Sequence, residues 1–403
     1  MTISTTYDVD AVRAHFPSLA GGTAYFDGPG GSQTPDVVAQ AMYDVMTGPL
    51  SNRGSNTAAE RNADAVVVGT RRALADLLGA DPSGIVFGRS MTQLTMDLAR
   101  TMAKDWGPGD EVVVTRLDHD GNVRPWVIAA EAVGATVRWA DFDPATAELD
   151  PDTIGDLLTD RTRIVAVTAA SNLLGTMPDI RAIADLVHRT EALLYVDGVH
   201  YTPHAFVDVA ALGADFYACS PYKFLGPHCG VVAGRFELLE KLRPDKLAPS
   251  SDQVPERFEL GTLPYELMAG TTSAIDFLAS LAPGEGSRRD RLETSLAAVG
   301  AHEDRLGARV EEALAALPGT TLWSRAARRT PTLLATFDDH TVADVYAHLG
   351  EHGVNAPAGT FYAYETARHL GLDAGGLRIG IAAYTSDADV DRLLDVLTAY
   401  VGR

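Results

Sequence analysis

Between about residue 35 and residue 235 the hydrophobic positions follow two alternating rhythms. A 3.6-residue rhythm over Asp36–Met46, Ala59–Leu78 and Thr92–Ala103 predicts amphipathic helices. Short apolar runs bounded by Gly, Pro or Asp predict strands at Gly84–Phe87, Glu111–Thr115, Ala135–Trp139, Arg163–Thr168, Ala192–Val196, Phe216–Cys219 and Gly230–Ala233. Strands separated by helical stretches imply crossover connections, so the expected α/β architecture is a mostly parallel seven-stranded sheet with helices on both faces. From Pro244 to Gly261 the pattern gives way to a loop rich in Pro, Ser and Asp, and a second block begins near Ser280. A long helix over Arg288–Leu317, strands at Thr320–Trp323, Thr332–Phe337 and Leu377–Ile381, and a final helix over Ser386–Val401 predict a smaller α+β domain. The expected division is an N-terminal segment, 1–34, packing with the small domain, a large domain over 35–265, and the small domain over 266–403.

Composition narrows the partners. The 403 residues are 46% hydrophobic and 22% charged, enough apolar surface for two cores. A net charge of -21 disfavours both a nucleic acid and an anionic membrane, since each is held by clustered Lys and Arg. The start, Met1 to Asp10, has neither a basic nor an apolar region of the secretory kind, and no run of 18 apolar residues is present. The two cysteines, Cys219 and Cys229, do not form a disulfide framework or a zinc ribbon, and a cytoplasmic compartment is expected.

Open α/β sheets bind ligands beyond the carboxyl ends of their strands, and four strand ends here are chemically unusual. They carry Asp118-His119-Asp120, Ser171-Asn172, Asp197-Gly-Val-His200 and Ser220-Pro-Tyr-Lys223. Only four lysines occur, at 104, 223, 241 and 246, against 29 arginines, so a lysine at a strand end points to chemistry that arginine cannot perform. A desolvated lysine becomes an amine nucleophile able to form an imine, which makes Lys223 the candidate Schiff-base residue. Pyridoxal phosphate (PLP) suits the neighbours. Asp197 either holds the pyridine nitrogen protonated or caps the next turn. His119 is placed to stack on the ring, and Asn172 and His200 to meet the ring oxygen, unless the histidines only pack. Ser90-Met91-Thr92-Gln93 offers a helix N-terminus for the phosphate, or a plain helix cap, and Ser220 and Tyr222 can add oxygens. Arg378 can receive a substrate carboxylate across the domain cleft.

In order and spacing these residues resemble the class V aminotransferase superfamily of PLP enzymes, most closely its cysteine desulfurase-like branch. The resemblance runs from Ala24-Tyr-Phe-Asp27-Gly-Pro-Gly-Gly31 to the final helix. It is carried by Arg89-Ser-Met-Thr92, Asp118-His119 followed by Asn122, Pro125 and Trp126, and Ser171-Asn172-Leu-Leu-Gly-Thr176. Further matches are Asp197-Gly-Val-His200, Ser220-Pro-Tyr-Lys223-Phe-Leu-Gly-Pro227, Arg257-Phe-Glu-Leu-Gly261-Thr262 and Leu377-Arg378. It implies a fold-type-I homodimer with its active site at the subunit interface. Lys223 would carry the cofactor, Asp197 would face the pyridine nitrogen and His119 would stack on the ring. Met91, Thr92, Ser220 and Tyr222 would surround the phosphate, with Thr262 reaching in from the neighbouring subunit. Arg378 would bind the amino acid carboxylate, and Asn52-Arg53-Gly54 resembles a segment that borders the site and gives Arg53 a substrate contact.

The departures bear on the reaction. Tyr222 stands where a desulfurase usually has histidine, and His200 where it usually has glutamine. By the pattern Val354-Asn-Ala-Pro-Ala-Gly359-Thr-Phe-Tyr362, the mobile persulfide cysteine is replaced by Tyr362, and a phenol cannot accept sulfane sulfur. The expected activity is therefore a carbon–sulfur lyase acting by β-elimination on an α-amino acid. The alternatives are an aminotransferase, or an epimerase with Tyr362 or Tyr364 as the second acid. A more remote one is a metal hydrolase built on Asp118, His119, Asp120, His200, His204 and His228.

Overall fold

The computed structural model describes residues 7–402, so the first six residues of the Met1–Asp10 stretch lie outside the described residues. Its centre is a seven-stranded sheet of β2 (Ile85–Gly88), β3 (Glu111–Thr115), β4 (Thr136–Ala140), β5 (Thr162–Thr168), β6 (Leu193–Asp197), β7 (Phe216–Cys219) and β8 (Gly230–Gly234). The spatial order is β2-β8-β7-β6-β5-β3-β4, all parallel except β8, which runs against both neighbours. The expected sheet is present, with strand bounds within one residue of those read from the sequence. These strands read as near-continuous apolar runs because both faces are covered. Val113, Val165, Val167, Leu194 and Val196 enter one core, and Val112, Val114, Ile164, Ala166 and Tyr195 enter the other.

A four-stranded antiparallel sheet follows in the second block, ordered β12 (Ala358–Gly359), β13 (Gly376–Gly380), β10 (Thr332–Phe337) and β9 (Thr320–Leu322). It shares a third core with helices Arg288–Ala316, Val342–Glu351 and Asp387–Val401. β1 (Ala24–Tyr25) pairs in parallel with β11 (Val354–Asn355), and Phe26 lies in that same core. Between the sheets, Thr330 N–H donates to Gly175 O at 2.9 Å and Met177 N–H to Arg328 O at 2.9 Å. Among the described residues no helix is long and apolar enough to cross a membrane.

Helix Tyr265–Leu278 is one of several that the sequence pattern does not delimit, and here glycine and threonine interrupt the apolar rhythm. Those small residues serve close packing. A Cβ at Gly270 would lie 2.7 Å from Met42 Cγ on helix Asp36–Thr47, and Thr70 Oγ1 on helix Ala58–Leu78 donates to Met268 O at 3.0 Å. Just before it, Glu259 forms a buried bidentate pair with Arg71, at 2.9 and 2.7 Å, and accepts from Phe87 N–H at 2.9 Å. This carboxylate ties the Arg257–Thr262 segment to the end of β2. Glu259→Ala strands a buried guanidinium, so denaturant titration is expected to show a loss of about 3–5 kcal/mol; a loss below about 1 kcal/mol would show the pair to be dispensable.

Candidate active site

Parallel pairing sets Thr168 beside Asp197 and Asp197 beside Ala218, so the ends of β5, β6 and β7 open onto one cavity. It is lined by Ser90, Met91, Thr92, His119, Thr168, Ala170, Asn172, Asp197, Val199, His200, Ser220, Tyr222 and Lys223. At one end, helix Met91–Met102 begins with Ser90 as its cap, the Ser90 Oγ accepting from Gln93 N–H at 3.1 Å. That leaves first-turn N–H groups of Met91 and Thr92 free for an anion. Gly230 of β8 passes directly beneath, where a Cβ would come within 2.2 Å of Met91 N.

Lys223 closes the tight turn Pro221–Lys223 after β7 and donates from Nζ to Pro29 O of the N-terminal segment. Burial, then the charge of Arg378, pushes its amine down to about 7, against the pull of Asp27 and Asp197. Asp197 accepts from Val199 N–H at 2.9 Å, and burial pushes its carboxyl up to about 6. Asp118, behind it, is driven up to about 8 by burial while bonded to Thr115 and Asn122. His119 Nδ1 accepts from Gly121 N–H at 2.9 Å, which fixes the ring; burial, then Lys223 and Arg378, lowers it to about 4. Burial likewise holds His200 neutral.

Arg378 is held by three contacts, while its Nε is buried without a partner. It donates to Asn172 O at 3.0 Å and Asp27 Oδ1 at 2.9 Å, and its guanidinium carbon lies 3.6 Å from the Phe361 ring centroid. Asn172 Nδ2 donates to Phe361 O at 2.9 Å and Asp120 N–H to Tyr362 O at 2.7 Å, so the Phe361-Tyr362 turn is fastened over the cavity mouth. Tyr362 is 76% exposed, with its ring centroid 5.7 Å from that of His119. Four expected site residues, Arg378, Tyr362, Arg53 and Thr262, are not among those lining the cavity of their own chain. Arg53 is paired with Asp64 and Glu256, and Thr262 is exposed. The proposed metal ligands do not assemble: among the described residues the only three metal-type donors within 4.8 Å are His348, Glu351 and His352, elsewhere in the chain.

The model of the family "Aminotransferase class-V" matches residues 24–393. The chain belongs to the class V aminotransferases. It is 34% identical to the uncharacterized protein MT3887 of Mycobacterium tuberculosis, over 98% of this chain and 99% of that one. It is 32% identical to the aminotransferase-like protein FGM3 of Gibberella zeae, over 98% of each. The crystal structure of the cysteine desulfurase CsdA from Escherichia coli matches with a TM-score of 0.87 at 27% identity, covering 98% of both chains. The fold is that of fold-type-I PLP enzymes, and PLP is the cofactor of this class V enzyme.

The cavity fits that cofactor on its own evidence. Asn172 Oδ1 and His200 Nδ1 are buried on its wall without partners, an arrangement that is costly unless a ligand satisfies them. An amine and a carboxyl share the cavity with a helix N-terminus. Asp27, Pro29, Phe361, Thr330 and Thr332 were not foreseen as site neighbours. Asp27 and Pro29 lie in a motif whose spacing does not disclose its contacts, and the other three reach the site only through the meeting of the two sheets.

With its amine near 7, Lys223 is half unprotonated at neutral pH, and only that form attacks an aldehyde. Stopped-flow absorbance of apoenzyme mixed with PLP is expected to show uptake that rises with pH through about 7 and levels off above roughly pH 8. Uptake that still climbs beyond roughly pH 9 would mean an ordinary lysine.

Proposed function

We propose that this enzyme is a carbon–sulfur lyase that frees a thiol, pyruvate and ammonia from a β-substituted, cysteine-derived amino acid. The observation that carries the reading is the lack of a usable thiol in a chain that otherwise follows the desulfurase-like pattern. Among the described residues both cysteines are free and buried, and burial holds both thiols up, that of Cys229 to about 12. Neither supplies a thiolate at neutral pH to accept sulfur. Tyr362 occupies the position where the pattern has its cysteine. Sulfur then leaves with its own substituent instead of passing to the protein.

When bound, PLP supplies an electron sink for the pair left at Cα. Lys223 would hold it, and its Nζ would take the Cα proton and return a proton to the departing sulfur. An amine near 7 suits both directions. Asp197 would keep the proton on the ring nitrogen, His119 would lie against the ring, and Asn172 and His200 would meet the ring oxygen. Met91, Thr92, Ser220 and Tyr222 would gather at the phosphate. Arg378 would take the substrate carboxylate, sharing its guanidinium with Asp27. A homodimer is part of the reading: Thr262 and Arg53 would serve the site of a neighbouring subunit, and exposed Tyr43, Met46 and Leu50 give an apolar surface for one.

A second reading, epimerisation or transamination, draws support from the Tyr362 phenol beside His119, a plausible second proton carrier. Incubation with S-substituted cysteines is expected to give pyruvate and thiol in equal amounts with no sulfur left on the protein. No pyruvate from any of them would overturn the lyase reading. Tyr362→Phe is expected to leave pyruvate release within roughly threefold, whereas a role as the second acid would make it cost about 100-fold or more in epimerisation, read as solvent deuterium at Cα.

A further inference from the structure

The two ring nitrogens of His200 have unlike surroundings. Nε2 lies 2.9 Å from the Thr330 hydroxyl and 3.0 Å from the Thr332 hydroxyl. Nδ1 is buried without a hydrogen-bond partner, on a residue of the cavity wall. Both threonines come from the second block, at the entry to β10, and both are buried. Their approach depends on Gly175 in the Ser171–Thr176 motif, at φ +76°, where a Cβ would lie 2.9 Å from both Thr330 O and Thr332 O. The neighbouring His204 touches His200 only edge-on, 5.1 Å between centroids, and its own Nδ1 is bonded to Glu303 at 2.7 Å.

A neutral imidazole carries one N–H, and its place follows from a count of donors. With the proton on Nε2, both threonine hydroxyls act as acceptors. Neither hydroxyl has another partner among the described residues, so two buried O–H groups would go unused. With the proton on Nδ1, the single lone pair of Nε2 accepts from one threonine hydroxyl, so only one O–H goes unused in place of two, and the Nδ1–H donor lies on a residue of the cavity wall.

We propose that Thr330 and Thr332 hold His200 as the Nδ1–H tautomer and so make it a hydrogen-bond donor to the ring oxygen of PLP. The threonines are positioning residues that act through His200, and they link the small sheet to the cofactor's electronic state. The proposal rests on the assignment of this cavity to PLP, and two readouts keep the two apart.

In apoenzyme labelled with 15N-histidine, the His200 signals, identified by their loss in His200→Gln, are expected to show a protonated Nδ1 and a bare Nε2. Thr330→Val/Thr332→Val is expected to lose that pattern. In holoenzyme the same variant is expected to shift the absorption band of the bound cofactor and to weaken PLP roughly tenfold. Thr330→Ser/Thr332→Ser is expected to restore both. If the double valine variant does not fold, each single valine is expected to shift the same signals in the same direction. An Nε2–H pattern in wild-type apoenzyme overturns the proposal, as do valine variants whose His200 signals and PLP affinity match wild type. A wild type that binds no PLP yet shows the Nδ1–H pattern overturns the cofactor assignment and the donor role together, while the threonine contact stands.

Discussion

The desolvated amine of Lys223 is the constraint around which the site is arranged. A primary amine in bulk water stays protonated and inert towards carbonyls at neutral pH; held between strand ends beside Arg378, it is driven down to about 7. Keeping it there requires a sheet whose parallel strands end in register, a tight turn after β7, and an N-terminal segment whose Pro29 carbonyl accepts from Nζ. The same burial raises Asp197 and lowers His119, so one cavity shifts three groups. Each of them suits a cofactor whose ring must be held protonated at one position and stacked on a neutral face.

The cavity is closed by chain from both ends of the sequence. Asp27 and Pro29 reach Arg378 and Lys223, while Phe361 covers the Arg378 guanidinium and is tied to Asn172. Phe361 and Tyr362 both adopt positive φ, +52° and +58°, a conformation that non-glycine residues take only when their surroundings enforce it. The bonds Asn172–Phe361 and Asp120–Tyr362 supply that enforcement, and Glu365, buried and paired with Arg116 and Arg124, anchors the turn from behind.

Much of this was legible from the chain because the relevant signals are local. The large sheet announced itself through apolar runs that are buried on both faces, and the residues that follow such strands necessarily share one edge, which brings Asn172, Asp197, Ser220 and Lys223 together. The scarcity of lysine singled out Lys223. What stayed hidden depends on contacts between distant segments. Helix Tyr265–Leu278 hides its pattern behind the glycine and threonines that let it pack closely on its neighbours. Thr330 and Thr332 look like ordinary strand residues, and the partnership of Arg378 with Asp27 spans most of the chain. Arg53 and Thr262 were singled out only through resemblance, and within one chain neither lines the cavity.

The central claim is that Lys223 carries PLP in this cavity, and the most direct test is the absorbance of the purified protein, followed by borohydride reduction and peptide mapping. Wild type is expected to show a band near roughly 420 nm that reduction fixes onto Lys223, and Lys223→Ala to lack it. A wild-type protein that stays colourless with added PLP, or one that carries the reduced cofactor on another lysine, would contradict the account.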